Sequence, residues 1–331
     1  MRLKNQSGAL QRPPALIDPF EQLVGPERCV GQLEKDLALL KPDRLRQRLE
    51  ALDRLDAYFP ELARAEICRP ETQGPEMRGP EIQGAEINSP AAAGLARRAK
   101  LIRDRFESQN HGLYEAIRDQ VRRGGGRLAL LRWLELPQGE DADPARGMGF
   151  DFRDDLISGL LELEQPEDEQ LGREAEMVFY QPTPARHIFN LIGLTALAAG
   201  DVFVDIGSGL GHVPLLVAIS TDARAIGIEL EGAYVEPARQ CAERLNLARV
   251  TFFEQDARAA DYSGGTVFYF YTPFSGAMLE AVLERLEHEA ASRRIRICSY
   301  GPSTSRIAGQ RWLRATTTPE ADRITVFDSR D

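Results

Sequence analysis

The sequence predicts an α/β fold in which a mostly parallel sheet carries a C-terminal antiparallel hairpin, preceded by an all-helical N-terminal region. Three observations carry this expectation. From Val202 onward, short runs rich in β-branched and aromatic residues alternate with longer amphipathic stretches, the order of strands and crossover helices in a parallel sheet. The connection Thr316 to Asp322 between the last two strand-like runs is too short for a helical crossover, so those two pair antiparallel. Before Val202, apolar residues recur at helical spacing.

Residues 1–68 read as a helical N-terminal segment. Between Gln32 and Leu62, Leu33, Leu37 and Leu40, then Leu45, Leu49, Leu52 and Leu55, lie on either side of Pro42, which predicts two amphipathic helices with a leucine stripe in their core. Residues 69–94 form a linker. From Pro70 to Ser89 a unit such as Pro75-Glu76-Met77-Arg78-Gly79 repeats, and a Pro and a Gly in nearly every copy forbid helix and discourage sheet.

Residues 95–170 form a second helical segment. Ala91 to Arg123 is a helix with Leu95, Ile102, Phe106, Leu113, Ile117 and Val121 on one stripe, and Arg97-Arg98-Ala99-Lys100 is its solvated face. Gly124-Gly125-Gly126 ends it. Leu128 to Leu136 is a short apolar helix, Pro137 to Gly147 a polar loop, and Asp151 to Glu164 one more helix.

Residues 171–331 are the α/β domain. Tyr180-Gln181-Pro182-Thr183-Pro184 leads into a helix over Ala185–Ala198, with Thr183 placed to cap it. Val202 to Ile206 is a buried strand that runs through Asp205 into Gly207, Gly209 and Gly211, a turn open enough for a ligand to approach the backbone. This is a nucleotide-type pocket. Its spacing is not the Gly-x-Gly-x-x-Gly of dinucleotide enzymes, and Asp205 would repel a pyrophosphate and welcome an ammonium.

The second strand, Ala225 to Leu230, ends at Glu229, placed to accept ribose hydroxyls. A helix follows over Tyr234–Leu245, then a third strand from Val250 that ends in Asp256-Ala257. Thr266 to Phe274 is the fourth strand, Ser275 to Ala290 a helix, Arg294 to Tyr300 a strand, Arg311 to Thr317 an extended piece and Ile324 to Phe327 the last strand.

Asp205-x-Gly-x-Gly-x-Gly, with acids closing three successive strands, resembles the motifs of the class I S-adenosylmethionine-dependent methyltransferases. More specifically, Asp205-Ile206-Gly207-Ser208-Gly209-Leu210-Gly211 and Tyr271-Thr272-Pro273-Phe274 are similar to segments in bacterial relatives of the lysine methyltransferases named for disruptor of telomeric silencing. Thr272 stands where that group has Asn. The resemblance implies S-adenosylmethionine as cofactor. It implies that Asp205, Gly207, Gly209 and Gly211 cradle the methionine part, Glu229 the ribose, and Asp256 and Ala257 the adenine.

The same resemblance places Tyr180 and Thr183 against the cofactor carboxylate, as the alternative to a turn with a helix cap. It puts the end of the fourth strand, Tyr271 and Thr272, beside the transferable methyl. Tyr180, Tyr271 and Phe274 either contact a cationic sulfonium or amine or pack in the core.

A net charge of −10 argues against binding a nucleic-acid backbone. Cys29, Cys68, Cys241 and Cys298 lack the spacing of a zinc site or disulfide framework, and no metal is expected. No apolar run is long enough for a bilayer, which makes the expected location cytoplasmic, without a membrane partner. The expected acceptor is a protein lysine or a small molecule, with an amine favoured. The competing readings are a nicotinamide-dependent oxidoreductase and a noncatalytic cofactor-binding or scaffolding protein.

Overall fold

A computed structural model describes residues 25–65, 90–134, 149–166 and 180–330. The repeat from Pro70 to Ser89, the loop predicted over Pro137–Gly147 and Met177–Phe179 lie outside the described residues. The chain divides between Glu115 and Ala116 into two compact units.

The first unit contains helices α1 (Pro26–Lys35), α2 (Leu45–Tyr58), α3 (Pro60–Ala65) and the greater part of α4 (Pro90–Arg122). Val30, Leu33, Leu39, Leu55, Ile102 and Phe106 form its core. Its leucine stripe departs from the expected pattern at one point: Leu37 is exposed and Leu39 buried. The cause is Asp36, whose side chain accepts the Ala38 N–H and turns residues Leu37–Leu40 into a 3-10 turn, so helical spacing does not continue to Pro42. Arg48 is fully buried, with Nη1 donating to the carbonyls of Leu39 and Lys41 and Nε to Asn110.

The second unit takes the end of α4, then α5 (Gly126–Leu134), α6 (Phe152–Leu161) and α7 (Ala185–Thr195). The alternating part follows: β1 (Val202–Ile206), α8 (His212–Ser220), β2 (Arg224–Glu229), α9 (Gly232–Arg244), β3 (Val250–Glu254), β4 (Val267–Phe270), α10 (Gly276–Ala290), β5 (Arg296–Ser299), α11 (Thr304–Ala308), β6 (Leu313–Ala315) and β7 (Thr325–Ser329).

The seven strands lie in the order β3-β2-β1-β4-β5-β7-β6. The first five are parallel, β7 runs antiparallel to β5, and β6 pairs antiparallel with β7. The expected hairpin is therefore present, with its second strand inserted next to β5. β1 is buried at all five positions and β4 at all four, as strands covered on both faces must be. The order reverses beside β1, whose carboxyl end consequently opens into a crevice between loops that leave in opposite directions.

Candidate functional site

Asp205 stands at the end of β1 in register with Gly227 of β2 and Tyr269 of β4. The chain then turns through Gly207, Ser208, Gly209, Leu210 and Gly211 into α8. Gly207 and Gly209 have φ of +77° and +51°, a region open to glycine, and there is also no room for a side chain. A Cβ on Gly207 would stand 2.1 Å from Pro273, and one on Gly209 2.1 Å from the ring of Tyr180.

A cavity of about 280 Å³ lies above the carboxyl ends of β1, β2 and β4. Tyr180, Thr183, Asp205, Gly207, Glu229, Asp256, Ala257, Tyr271 and Thr272 all line it, together with Phe274. Gly209 and Gly211 do not. The Gly209 N–H donates to Glu229 Oε2 at 2.8 Å, and Gly211 begins α8 against Phe252 and Ala238. These two glycines shape the loop, whereas Gly207 alone of the three faces the cavity.

Asp205 is 4% exposed, and among the described residues no donor reaches its carboxylate. Burial, reinforced by the nearby charge of Glu229, holds its carboxyl well above the usual range. Glu229 is also raised by burial, but three backbone groups oppose the shift: Oε2 accepts from Gly209, and Oε1 from Leu230 and Glu231. With three of about four lone-pair directions taken, one direction on Oε2 is left for a hydroxyl rather than a bidentate pair.

The third strand stops at Glu254, two residues earlier than expected, because Asp256 caps a 3-10 turn over Ala257–Ala259. Its carboxylate accepts the Arg258 N–H and pairs with the Arg258 guanidinium at 2.6 Å, which lowers its pKa. The fourth strand stops at Phe270. Tyr271, Thr272 and Pro273 thus form a corner, and Thr272 carries a φ of +43°.

The segment Tyr180–Pro184 straps over the loop. The Tyr180 hydroxyl lies 3.0 Å from His212 Nδ1, and its ring is 4.9 Å from that of Tyr234. The Thr183 hydroxyl meets the Tyr269 hydroxyl at 2.9 Å. Thr183 is not the helix cap: the N-cap of α7 is Pro184, which offers no side-chain acceptor.

Burial raises the phenols of Tyr180 and Tyr269 well above their ordinary value and Tyr271 to about 12, so all three stay neutral donors. Burial pushes His212 down to about 4, leaving a neutral imidazole. His212, Tyr234 and Ser208, to which the sequence assigns no role in the site, also line the cavity. For His212 the available signal was its place directly after Gly211, at the start of the helix that leaves the glycine-rich turn.

A buried, unpartnered carboxylate facing a cavity, one acceptor direction left on a second acid and a glycine without space for a Cβ fit a ligand that brings a cation and a ribose. The family described as histone methylation protein DOT1 matches residues 177–269. No curated protein matches the chain.

Among solved structures, an RNA methyltransferase from Salinibacter ruber in complex with S-adenosyl-L-homocysteine is 25% identical, over 45% of this chain and 92% of that one, with a TM-score of 0.37. A tRNA (uracil-54, C5)-methyltransferase from Pyrococcus abyssi is 19% identical over 45% of this chain and 39% of that one, with a TM-score of 0.36. Magnesium protoporphyrin IX methyltransferase from Synechocystis, with bound SAM, is 17% identical over 44% and 76%, with a TM-score of 0.32. The family match over the strap, β1, β2 and β3, on a sheet whose seventh strand is inserted antiparallel beside the fifth, places this chain in the class I S-adenosylmethionine-dependent methyltransferase superfamily, with DOT1-like relatives.

Proposed function

We propose that the protein transfers the methyl group of S-adenosylmethionine to an amine of the lysine type. The observation that carries the cofactor's orientation is the Asp205 carboxylate, buried at the end of β1 without a donor among the described residues. Paired with the methionine ammonium, it regains the charged hydrogen bond that burial denies it. Glu229 offers its remaining lone pair to the ribose, and Ala257 lines the wall on which adenine would lie. When bound, the cofactor supplies both the methyl and its own leaving group, so the chain need only hold and orient the acceptor and keep water out.

The amine reading is supported by the aromatic wall at the end of β4. Tyr271 and Phe274 line the cavity, and Tyr300 backs Tyr271 with ring centroids 4.7 Å apart. Such rings attract a cationic amine by roughly 0.5–2 kcal/mol each. The phenols are too weak as acids to be ionised, so none of them takes the amine proton, which leaves with water before the displacement. The name of the DOT1 family, which concerns histone methylation, favours a protein amine over a small molecule.

Incubation with isotope-labelled S-adenosylmethionine and a cell extract tests this. Label in protein, stable to mild base and recovered as methylated lysine after hydrolysis, is the expected result. Base-labile label, as from a carboxyl methyl ester, or label confined to RNA would overturn the amine acceptor.

A further inference from the structure

The strap over the cavity is tied down by a helix that precedes it. Asp154, in the first turn of α6, is 8% exposed, and its carboxylate accepts two backbone N–H groups. Oδ2 takes the Asp151 N–H at 2.6 Å, closing the capping box of α6. Oδ1 takes the Ala185 N–H at 2.7 Å, the first residue of α7. Since Pro184 supplies no side-chain acceptor, Asp154 does for α7 what an N-cap side chain does for other helices, from 31 residues away.

We infer that Asp154 is a positioning residue for the cofactor-binding strap: by fastening the start of α7 to the start of α6, it sets where Thr183 and Tyr180 stand at the cavity. This rests on the reading of the cavity as the S-adenosylmethionine site. Ala185 follows Pro184 directly, and Pro182 and Pro184 each fix a backbone angle, so a shift at Ala185 is passed along the strap rather than absorbed. Towards its far end the strap is fastened by its side chains, Thr183 to Tyr269 and Tyr180 to His212.

The tie is also sensitive to protons. Burial raises the Asp154 carboxyl to about 6, against the two N–H groups that favour its charged form. Around it stand Asp151 on α6, Arg186 on α7 and Tyr300 beyond β5. Above that value both oxygens accept. Protonation converts one oxygen to a donor and one of the two N–H bonds is lost, so the strap is held less firmly as pH falls through about 6.

Calorimetric titration of the full chain with S-adenosylhomocysteine, with amide hydrogen exchange over Tyr180 to Ala185, tests the inference. Asp154→Ala should bind about tenfold more weakly, the loss expected of a charged hydrogen bond. Asp154→Asn, which keeps one acceptor, should bind with intermediate affinity and lose the step in affinity near pH 6 that the parent shows. Exchange at Ala185 should quicken in both. Asp151→Ala removes the side-chain cap of α6 and its ion pair with Arg153 but leaves the bond from Ala185 to Asp154 in place, and should leave affinity within about twofold. Parental affinity and pH profile in Asp154→Asn, or an equal loss in Asp151→Ala, would overturn the inference. If the parent itself does not bind, the cofactor reading fails instead, and Ala185 exchange alone decides: unchanged exchange in Asp154→Asn overturns the tie.

Discussion

Asp205 shows how far one side chain can dictate the chemistry of a site. An ionised carboxylate removed from water without a donor is costly, and the folded chain relieves that cost by raising its pKa, as it does for Glu229. The consequence for pH follows from proton counting. With both folded carboxyls above their ordinary values, the folded state binds more protons than the unfolded one. The unliganded protein therefore loses stability as pH rises from the ordinary carboxylate range through the raised values. A cationic ligand pairs with the ionised form, so its affinity climbs over the same window. Melting with and without S-adenosylhomocysteine should show a ligand-induced shift that grows as pH rises above the ordinary carboxylate range. Asp205→Asn should flatten that difference and weaken the ligand by about 1.5–3 kcal/mol. Methylthioadenosine, which has no ammonium, should bind variant and parent alike; an equal loss with this fragment would mean that Asp205 only holds the turn.

At the scale of elements, the corner after β4 combines strain with a specific anchor. Thr272 is β-branched and sits at a φ of +43°, where Asn is far better tolerated. What holds it is the loop after β5: its Oγ1 accepts the Ser303 N–H at 3.2 Å and meets the Ser303 hydroxyl at 3.1 Å. Gly301, at φ of +87°, leaves space for the Thr272 hydroxyl, since a Cβ there would stand 2.8 Å from Thr272 Oγ1. Thr272→Val should lose about 1 kcal/mol or more, because the Ser303 N–H is left without its acceptor. Thr272→Asn keeps an acceptor and relieves strain on the order of 1 kcal/mol, so it should equal or exceed the parent in denaturant unfolding. Asn falling below Val would show that the hydroxyl geometry, not the backbone, fixes this corner.

This corner also marks the limit of what local pattern can reveal. β1, β2 and β4 were legible because strands covered on both faces must be apolar throughout, and the acids at β1 and β2 stand out against them. The end of β3 was placed two residues late, since Asp256 caps a turn by a bond to its own neighbour Arg258 that no hydrophobic period signals. Thr183 fits a helix cap by spacing alone; its partner is Tyr269, 86 residues away. The role of Asp154 at Ala185 is hidden for the same reason, because both ends of that bond become neighbours only after α6 and α7 pack.

For the molecule as a whole, the division of labour between its two units follows from where the site residues lie. Every described residue that lines the cavity falls between Tyr180 and Pro302, inside the unit that begins at Ala116. The first unit has its own core, with Val30, Leu55 and Phe106 buried together and Arg48 tied to Asn110. The proline- and glycine-rich repeat from Pro70 to Ser89 comes between α3 and α4, in sequence well before the second unit. A repeat of that composition has little apolar side chain to bury. Deleting Pro70 to Ser89 should therefore leave the affinity for S-adenosylhomocysteine within about twofold of the parent, the range of a change that touches no packed group. Any cost should appear in the unfolding of the first unit, where a shortened connection has to join α3 to α4. A tenfold loss of cofactor affinity with the second unit still folded would show that the repeat takes part in the site and that the catalytic domain does not work alone.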